Sequence, residues 1–194
     1  MKTVTHEEQI TLDGVCLPIN TTKSSGCYVE ILEACKGQLD AMGAWHSRLF
    51  VYRFDLRLKE YTEDNKIMSD FIRAVRKMVK RKYPISRMGF LWGREQASAA
   101  GQHYHVALIL DGNKIHHPAK LQVHLTEQAA KLGMSLGHCP RPFHCIRRAN
   151  LTEYEKCFYR LSYIAKEHSK GGRKPTVNDY STSRIKPPAI ALAA

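Results

Sequence analysis

Residues 102–110 read QHYHVALIL, in which His103 and His105 flank one tyrosine at the start of an apolar run. Successive side chains on a strand point to opposite faces, so the two imidazoles lie on one face together with Ala107. Tyr104 and the alternate apolar residues after it lie on the other face. Neutral imidazole is the commonest nitrogen ligand for divalent metals, so this spacing predicts two ligands for one shared ion.

Further strand-like runs surround this one. Residues 49–58, LFVYRFDLRL, alternate between large apolar side chains and a face that carries Asp55. Residues 87–96, RMGFLWGREQ, are joined to the HYH run by the short loop ASAAG, as an antiparallel hairpin requires. Residues 143–148 form a short candidate fourth strand.

Apolar residues at helical spacing separate these strands and predict helices from about Ser24 to Gly43, over residues 67–83, and from Pro118 to Gly133. From residue 49 the order is strand, helix, strand, strand, helix, strand. This order predicts an α+β fold: a ferredoxin-like, RRM-like βαββαβ antiparallel sheet with its helices on one face.

That topology places the first and third strands side by side at the centre of the sheet. If the more apolar strand faces bury against the helices, His103, His105 and Asp55 emerge together on the opposite, open face. Glu95, near the end of the hairpin partner, is the other acid within reach. Either carboxylate could complete a metal site with the histidines.

The second predicted helix carries a run of cations opposite its apolar stripe: Arg73, Arg76, Lys77, Lys80 and Arg81. Such a run is usually a solvated face. On a basic chain it equally suits a phosphate backbone, and the sequence leaves both interpretations open.

The whole chain is strongly basic, because its 194 residues contain 30 Lys and Arg against 18 Asp and Glu, a formal charge of +12. This charge favours a polyanionic partner such as nucleic acid. We expect a cytoplasmic protein that does not bind membranes, since neither a membrane-length apolar run nor a secretory signal is present. The six cysteines form no CxxC pair and are expected to be reduced.

The sequence after Asn150, LTEYEKCFYRLSYIAKEHSKGG, predicts a fourth helix that ends before Gly171. Thr152 and Glu155 have the spacing of a capping box, which places the helix start at about Glu153. Residues 173–194 are basic and rich in proline, and we expect them to be flexible or loosely draped.

Two tyrosines share one face of this predicted helix, because Tyr159, Tyr163 and Lys166 fall on one side at about 100° per residue. Tyrosines at this spacing are commonly packing residues, but here a separate stripe already supplies the apolar face. A tyrosine hydroxyl is a poor nucleophile unless a cation or base assists it, and Lys166 follows Tyr163 at the spacing to do so.

Together these motifs resemble the HUH endonucleases, and among them the rolling-circle replication initiators. His103-Tyr104-His105 matches the histidine, bulky residue, histidine motif, and Tyr163-Ile164-Ala165-Lys166 looks like the YxxK motif of the family. Tyr159 and Tyr163 also give the YxxxY of its two-tyrosine members. More narrowly, the chain is similar to the gene-two-type replication proteins of inoviruses, the filamentous phages and prophages.

The resemblance implies that His103 and His105 bind Mg²⁺ or Mn²⁺ and that Tyr163 is the nucleophile, with Tyr159 as a second tyrosine and Lys166 assisting. It favours Glu95 as the third ligand, with Asp55 in reserve. The implied reaction is sequence-specific nicking and joining of single-stranded DNA through a 5′-phosphotyrosine, which initiates rolling-circle replication of a phage, prophage or plasmid.

The implied partners are single-stranded or hairpin DNA at a replication origin, with a host helicase and polymerase, in the cytoplasm of a bacterial host. Trp92 or Tyr104 would stack on bases. The DNA backbone would be held by five basic residues: Arg53, Arg57, Arg94, Arg147 and Arg148.

Two other functions stay open. One is a non-catalytic DNA-binding protein on the same fold, such as a repressor or a decayed initiator. The other is a small zinc protein, whose ligands would be His138, Cys139, His144 and Cys145. The expected division is an N-terminal arm and helix over residues 1–48, the endonuclease domain over 49–172 with the tyrosine helix at the open face, and the tail over 173–194.

Overall fold

A computed structural model describes residues 3–95, 102–167, 170 and 177–189 of the chain. The strands are β1 Val4–Thr5, β2 Gln9–Leu12, β3 Val15–Pro18, β4 Cys27–Tyr28, β5 Arg48–Leu58, β6 Gly89–Glu95, β7 His103–Asp111, β8 Met134–Gly137, β9 Phe143–Arg147 and β10 Tyr180–Thr182. The helices are α1 Val29–Trp45, α2 Lys66–Lys82, α3 Ala119–Ala130 and α4 Leu151–Ser162. The predicted hairpin loop at 97–101 and the predicted helix stop at 171 and 172 lie outside the described residues.

The main sheet is antiparallel and has the order β10, β6, β7, β5, β8, with β9 also paired to β5. β5 and β7 are central neighbours and β6 flanks β7, so the predicted ferredoxin-like α+β arrangement is confirmed. The fourth strand differs from the prediction because two strands share the edge of β5. β8 pairs with residues 55–58 and β9 with residues 48–52. β8 has only four residues, of which the last is Gly137, too few for an alternating pattern to reveal it.

One face of the sheet packs against α2 and α3, as predicted. The alternate residues of β5 and β7 that begin at Phe50 and Tyr104 all point into this core, where Tyr104 is 0% exposed. Trp92 contacts Tyr104 edge to face within the same core, with ring centroids 5.5 Å apart. The prediction that either ring stacks on DNA bases is therefore wrong, because burial keeps both away from a ligand.

The other face of the sheet is divided along the strands. At one end, the apolar side chains of Val51, Leu91 and Ile109 pack with α1 and α4 in a second core. At the other end the same strands carry polar and charged side chains. The predicted position of the tyrosine-bearing helix on this open face is confirmed, and α1 packs there beside it.

A strand near the C-terminal end of the described chain also joins the sheet. β10 pairs with β6, so the predicted loose tail contains an ordered strand. Trp45 at the end of α1 donates a hydrogen bond from Nε1 to the Lys186 carbonyl at 2.8 Å, which ties this segment to the helix. The expected limits of the endonuclease domain stay a prediction. Within the described part of the chain, no helix combines the length and apolarity needed to cross a membrane.

α4 begins two residues earlier than predicted. Its N-cap is Asn150, whose side-chain oxygen accepts a hydrogen bond from the Glu153 backbone N–H at 3.0 Å. The predicted capping box at Thr152 and Glu155 is therefore wrong, because Thr152 already lies within the first turn. The N-cap is Asn150, whose backbone N–H donates to the Arg147 carbonyl in the turn after β9.

Replacing Asn150 with Ala removes this cap and should lower the free energy of unfolding by about 1 kcal/mol. Thr152→Ala is the matched control and should change it by less than about 0.5 kcal/mol, since Thr152 is exposed and outside the cap. Urea unfolding followed by circular dichroism measures both. A larger loss of unfolding free energy for Thr152→Ala than for Asn150→Ala would show that Thr152 is the N-cap.

Candidate metal centre

The polar end of the open face collects two histidines and two acids through strand register. His103 on β7 is opposite Glu95 on β6 and Arg57 on β5. His105 is opposite Asp55 on β5. Because side chains at opposed positions share a face, these groups stand side by side.

Glu95, His103 and His105 form a group that could hold a metal ion, here called the triad, since one ligand atom from each lies within 4.8 Å of the other two. Glu95 Oε2 is 2.5 Å from His103 Nε2 and 2.8 Å from His105 Nε2. The side chains of Glu95 and His105 are 6% and 5% exposed, whereas that of His103 is 29% exposed. A ligand therefore reaches the triad from the His103 side. One carboxylate and two imidazoles can hold a divalent metal ion.

Asp55 contacts the opposite nitrogen of His105. Its Oδ1 lies 2.6 Å from His105 Nδ1, which we assign as the protonated nitrogen that donates to this carboxylate. His105 Nε2 is buried and faces Glu95 Oε2 at 2.8 Å. Its lone pair is therefore directed toward the triad, as a metal ligand requires. Asp55 orients the ring, while Glu95 belongs to the triad.

The charges around His105 favour a cation at this position. Burial acts to lower the pKa of His105, but hydrogen bonds and charges from Asp55 and Glu95 outweigh it, and the pKa is raised above its ordinary value. Burial acts to raise the pKa of Asp55, yet the contact with His105 lowers it. The site therefore stabilises added positive charge, which a divalent ion also supplies.

Tyr163 lies beside the triad, with its ring edge-on to His105 at a centroid distance of 5.0 Å. The Arg53 guanidinium is 4.7 Å from the centre of the same tyrosine ring. Burial raises the pKa of Tyr163, the carboxylates of Glu95 and Asp55 raise it further, and Arg53 lowers it. Arg53 is thus the cation that acts against the raised pKa of Tyr163.

The chain around Tyr163 is not helical in the predicted way. α4 ends at Ser162, and Tyr163–Ala165 form a short 3₁₀ turn. Lys166 then has an extended backbone, is 3% exposed and forms a β-bridge with Cys27. The prediction that Tyr159, Tyr163 and Lys166 share one helical face is wrong, because other segments bind the backbone groups that would continue the helix. A catalytic role for Lys166 stays a prediction.

The N-terminal segment holds this tyrosine turn in place. The Asn20 backbone N–H donates to Ser162 Oγ at 2.8 Å. The Gly26 N–H donates to Glu167 Oε1 at 2.9 Å, and the Glu167 N–H donates to the Gly26 carbonyl at 3.1 Å. Residues predicted to form an arm therefore help to build the site.

Gly93 lets the tyrosine turn approach the sheet. A Cβ at Gly93 would lie 2.7 Å from Ile164 Cγ2 and 3.0 Å from the Ile164 carbonyl oxygen. Gly93 is opposite His105 in the β6–β7 pair, so this contact brings Tyr163 next to the triad. A glycine inside a strand signals a close backbone approach, yet Gly93 is absent from the predicted site residues.

Tyr159 occupies a different surface. It is 40% exposed and lines a groove of about 720 Å³ together with Arg141 and Arg160, and no triad residue lines that groove. The two tyrosines are therefore not equivalent neighbours of the metal centre. Of the two tyrosines, Tyr163 is the one whose ring contacts a triad histidine.

The five predicted DNA-binding arginines are dispersed. Arg53 lies at the candidate metal centre and is 9% exposed. Three others are exposed, namely Arg57, Arg147 and Arg148. Arg94 is on the opposite face of β6, 3% exposed, and donates to the carbonyl oxygens of Thr62 and Asp64. It therefore anchors a loop on the α2 side and does not line the centre.

The predicted zinc site over residues 138–145 does not form. His144 Nδ1 lies 2.8 Å from Glu153 Oε1, while the Cys145 thiol contacts the His116 carbonyl. Adjacent residues on β9 point to opposite faces, which separates these two side chains. Within the described ranges, the only cluster of three potential metal ligands is the triad.

Mn²⁺ binding measured by calorimetry tests the triad. Glu95→Gln and His103→Ala should each weaken binding by at least about a hundredfold, whereas Asp55→Asn, which disturbs only the orientation of His105, should cost about 10- to 100-fold. Glu127→Gln is the matched control, because Glu127 is 56% exposed on α3, and should leave the affinity unchanged. A larger loss of Mn²⁺ affinity for Asp55→Asn than for Glu95→Gln would make Asp55 the ligand and Glu95 the residue that orients a ligand.

Gly93→Ala should lower the free energy of unfolding by about 1 to 3 kcal/mol, because the added methyl group overpacks against Ile164. Gly37→Ala in α1 is the control. No described atom lies within 4 Å of its added Cβ, so it should stabilise the helix by about 0.5 to 1 kcal/mol. Urea titration measures both, and equal effects at the two glycines would contradict the close approach.

Comparison with known proteins gives one match. No curated protein and no solved structure matches the chain. The family model described as the YagK/YfjJ C-terminal domain matches residues 17–138, which is more than half of the chain. The matched span includes the triad and ends before Tyr159 and Tyr163. The chain belongs to the YagK/YfjJ C-terminal domain family.

Proposed function

We propose that this protein is a metal-dependent, sequence-specific DNA endonuclease and strand transferase of the HUH type. It nicks and rejoins single-stranded DNA through a 5′-phosphotyrosine and so initiates rolling-circle replication of a phage, prophage or plasmid. The observation that carries the proposal is the position of Tyr163, whose ring contacts His105 at 5.0 Å beside the triad.

The triad suits a divalent ion that would bind a phosphate oxygen of the DNA at the same time. Glu95, His103 and His105 would hold Mg²⁺ or Mn²⁺, and the buried Nε2 of His105 would provide a lone pair on the side that faces Glu95. Such an ion supplies Lewis acidity to the scissile phosphate when bound. The exposed side of His103 provides the approach for the DNA.

The covalent step uses Tyr163. Its phenol oxygen attacks the phosphorus, a new P–O bond forms to the tyrosine, and the bond from phosphorus to the 3′ oxygen breaks. The phenol loses its proton and the departing oxygen gains one, which leaves a free 3′-hydroxyl for a polymerase. Arg53 favours the anionic phenol, since its charge partly offsets the burial and the carboxylates that raise the pKa of Tyr163. Attack by a 3′-hydroxyl on the same phosphodiester rejoins the strand and releases Tyr163.

The substrate is single-stranded or extruded hairpin DNA at a replication origin, because in-line attack needs an exposed phosphate. The exposed Arg57, opposite His103 in the sheet, is placed to contact the backbone beside the triad. Replication would also need a host helicase and polymerase. We assign the protein to the cytoplasm of a bacterial host.

A non-catalytic DNA-binding protein is the second candidate. The family match ends at residue 138, before the nucleophile, so family membership is compatible with a protein that keeps the fold and its positive charge without cutting DNA. The two functions differ in whether a covalent adduct forms.

Incubation with Mn²⁺ and a random single-stranded pool labelled at the 3′ end should yield a protein–DNA adduct on a denaturing gel. Tyr163→Phe should reduce the adduct by roughly a thousandfold or more, because the nucleophile is lost. Tyr159→Phe is the matched control and should retain it, and EDTA should abolish it. Sequencing of the attached DNA would identify the nick site.

An undiminished adduct in Tyr163→Phe that disappears in Tyr159→Phe would assign the nucleophile to Tyr159. Binding of DNA without any adduct in the unaltered protein would favour the non-catalytic alternative.

A further inference from the structure

The exposed side of α2 forms a second positively charged surface. We call it the α2 cationic face, and its residues are Arg73, Arg76, Lys77, Lys80 and Arg81, all of them exposed. At about 100° per residue they occupy an arc of about 140° around the helix. The buried stripe of Phe71, Val75 and Met78 fixes α2 against the sheet and holds this face outward.

Most of this charge is not neutralised within the protein. Arg73 pairs with Asp70 at 3.1 Å. Across the described part of the chain, no carboxylate lies within 4.0 Å of the side-chain nitrogens of Arg76, Lys77, Lys80 or Arg81. A solvated helix face usually alternates charges of opposite sign, which form i to i+4 pairs.

Like charges instead occupy i and i+4 positions at Arg76 with Lys80 and at Lys77 with Arg81, which is unfavourable for an isolated helix. Cations in the last turn interact favourably with the helix C-terminus. That effect falls off beyond the last turn, so it does not account for Arg76 and Lys77.

An open groove continues the cationic face beyond the end of the helix. The polar half of its lining is Arg76, Lys80, Ser86 and Arg87, the other four lining residues are apolar, and its volume is about 330 Å³. The Arg87 guanidinium stacks 3.5 Å from the centre of the Trp45 ring, which holds the charge in place. Several cations beside a hydroxyl group match the oxygens of a phosphate.

We propose that the α2 cationic face binds the phosphate backbone of double-stranded DNA. This surface lies on the opposite side of the sheet from the triad, since α2 packs with the core that contains Tyr104 while His105 points to the other face. The proposal goes beyond the proposed nuclease function and does not depend on it. A nicking protein with this second surface would hold the duplex that flanks its single-stranded site.

The composition of the face distinguishes duplex DNA from other polyanionic partners. Among the described residues, none of the exposed large apolar side chains belongs to α2. A protein interface needs an apolar centre, a membrane-bound helix needs an apolar face, and single-stranded DNA is held by stacking on exposed aromatic rings. A duplex backbone requires only an array of cations.

Fluorescence anisotropy with a labelled duplex of arbitrary sequence tests the proposal. Affinity should fall with salt, and Lys77→Gln/Lys80→Gln should make the slope of log affinity against log salt less negative by about 2. Equivalently, the loss of affinity between about 50 and 200 mM salt should shrink by about tenfold.

Lys23→Gln/Lys131→Gln is the matched control, because it removes the same charge from exposed sites outside α2 and should leave the slope unchanged. Lys77→Arg/Lys80→Arg keeps the charge and should also leave it unchanged. Circular dichroism verifies that each variant is folded.

Equal slopes for the unaltered chain and Lys77→Gln/Lys80→Gln would overturn the proposal. The proposal would also be overturned if Lys77→Gln/Lys80→Gln weakened binding only to anionic vesicles or only to single-stranded DNA. The adduct assay on the same variants separates this result from the nuclease function. If Lys77→Gln/Lys80→Gln loses duplex binding but still forms the adduct on short single strands, the α2 cationic face binds duplex DNA independently of the nuclease site. If the unaltered protein binds duplex DNA through this face but forms no adduct, only the nuclease function is rejected.

Discussion

The register of β7 between β5 and β6 is the constraint on which the candidate metal centre depends. Tyr104, Val106 and Leu108 are each 0% exposed, and burial of each such side chain contributes roughly 1.5 to 3 kcal/mol. A slip of one residue would bring these side chains out of the core and bury the histidines in their place. The packing against α2 and α3 therefore also holds His103 and His105 on the opposite face.

Within the centre, Arg53 connects the triad to Tyr163. Its Nη2 lies 3.8 Å from Asp55 Oδ1 and 3.4 Å from His105 Nδ1, and its guanidinium is 4.7 Å from the centre of the Tyr163 ring. One buried cation thus balances the carboxylate that orients His105 and partly offsets the raised pKa of the Tyr163 phenol. The electrostatics of the triad and of Tyr163 are therefore coupled through a residue on β5.

The sheet separates two surfaces with different recognition properties. The open face offers a small, partly buried group of ligands beside one tyrosine, which suits chemistry at a single phosphate. The α2 cationic face offers a row of charges without apolar or aromatic groups, which suits an extended backbone. Both surfaces follow from the alternation of side-chain direction along the same strands. One face of the sheet packs against α2, and the other face carries the triad.

The sequence by itself determined the ferredoxin-like order, the strand that carries His103 and His105, and both acids near them, because alternation and turn chemistry are local patterns. The tertiary structure decided which acid stands with the histidines, since that depends on the register between β6 and β7. It also ended α4 at Ser162, because Gly93 and the N-terminal segment bind the following turn across long sequence separations. Tyr163 therefore lies beside the triad with the Arg53 guanidinium over its ring. Helical periodicity could not predict this contact, because Arg53 lies on a distant strand.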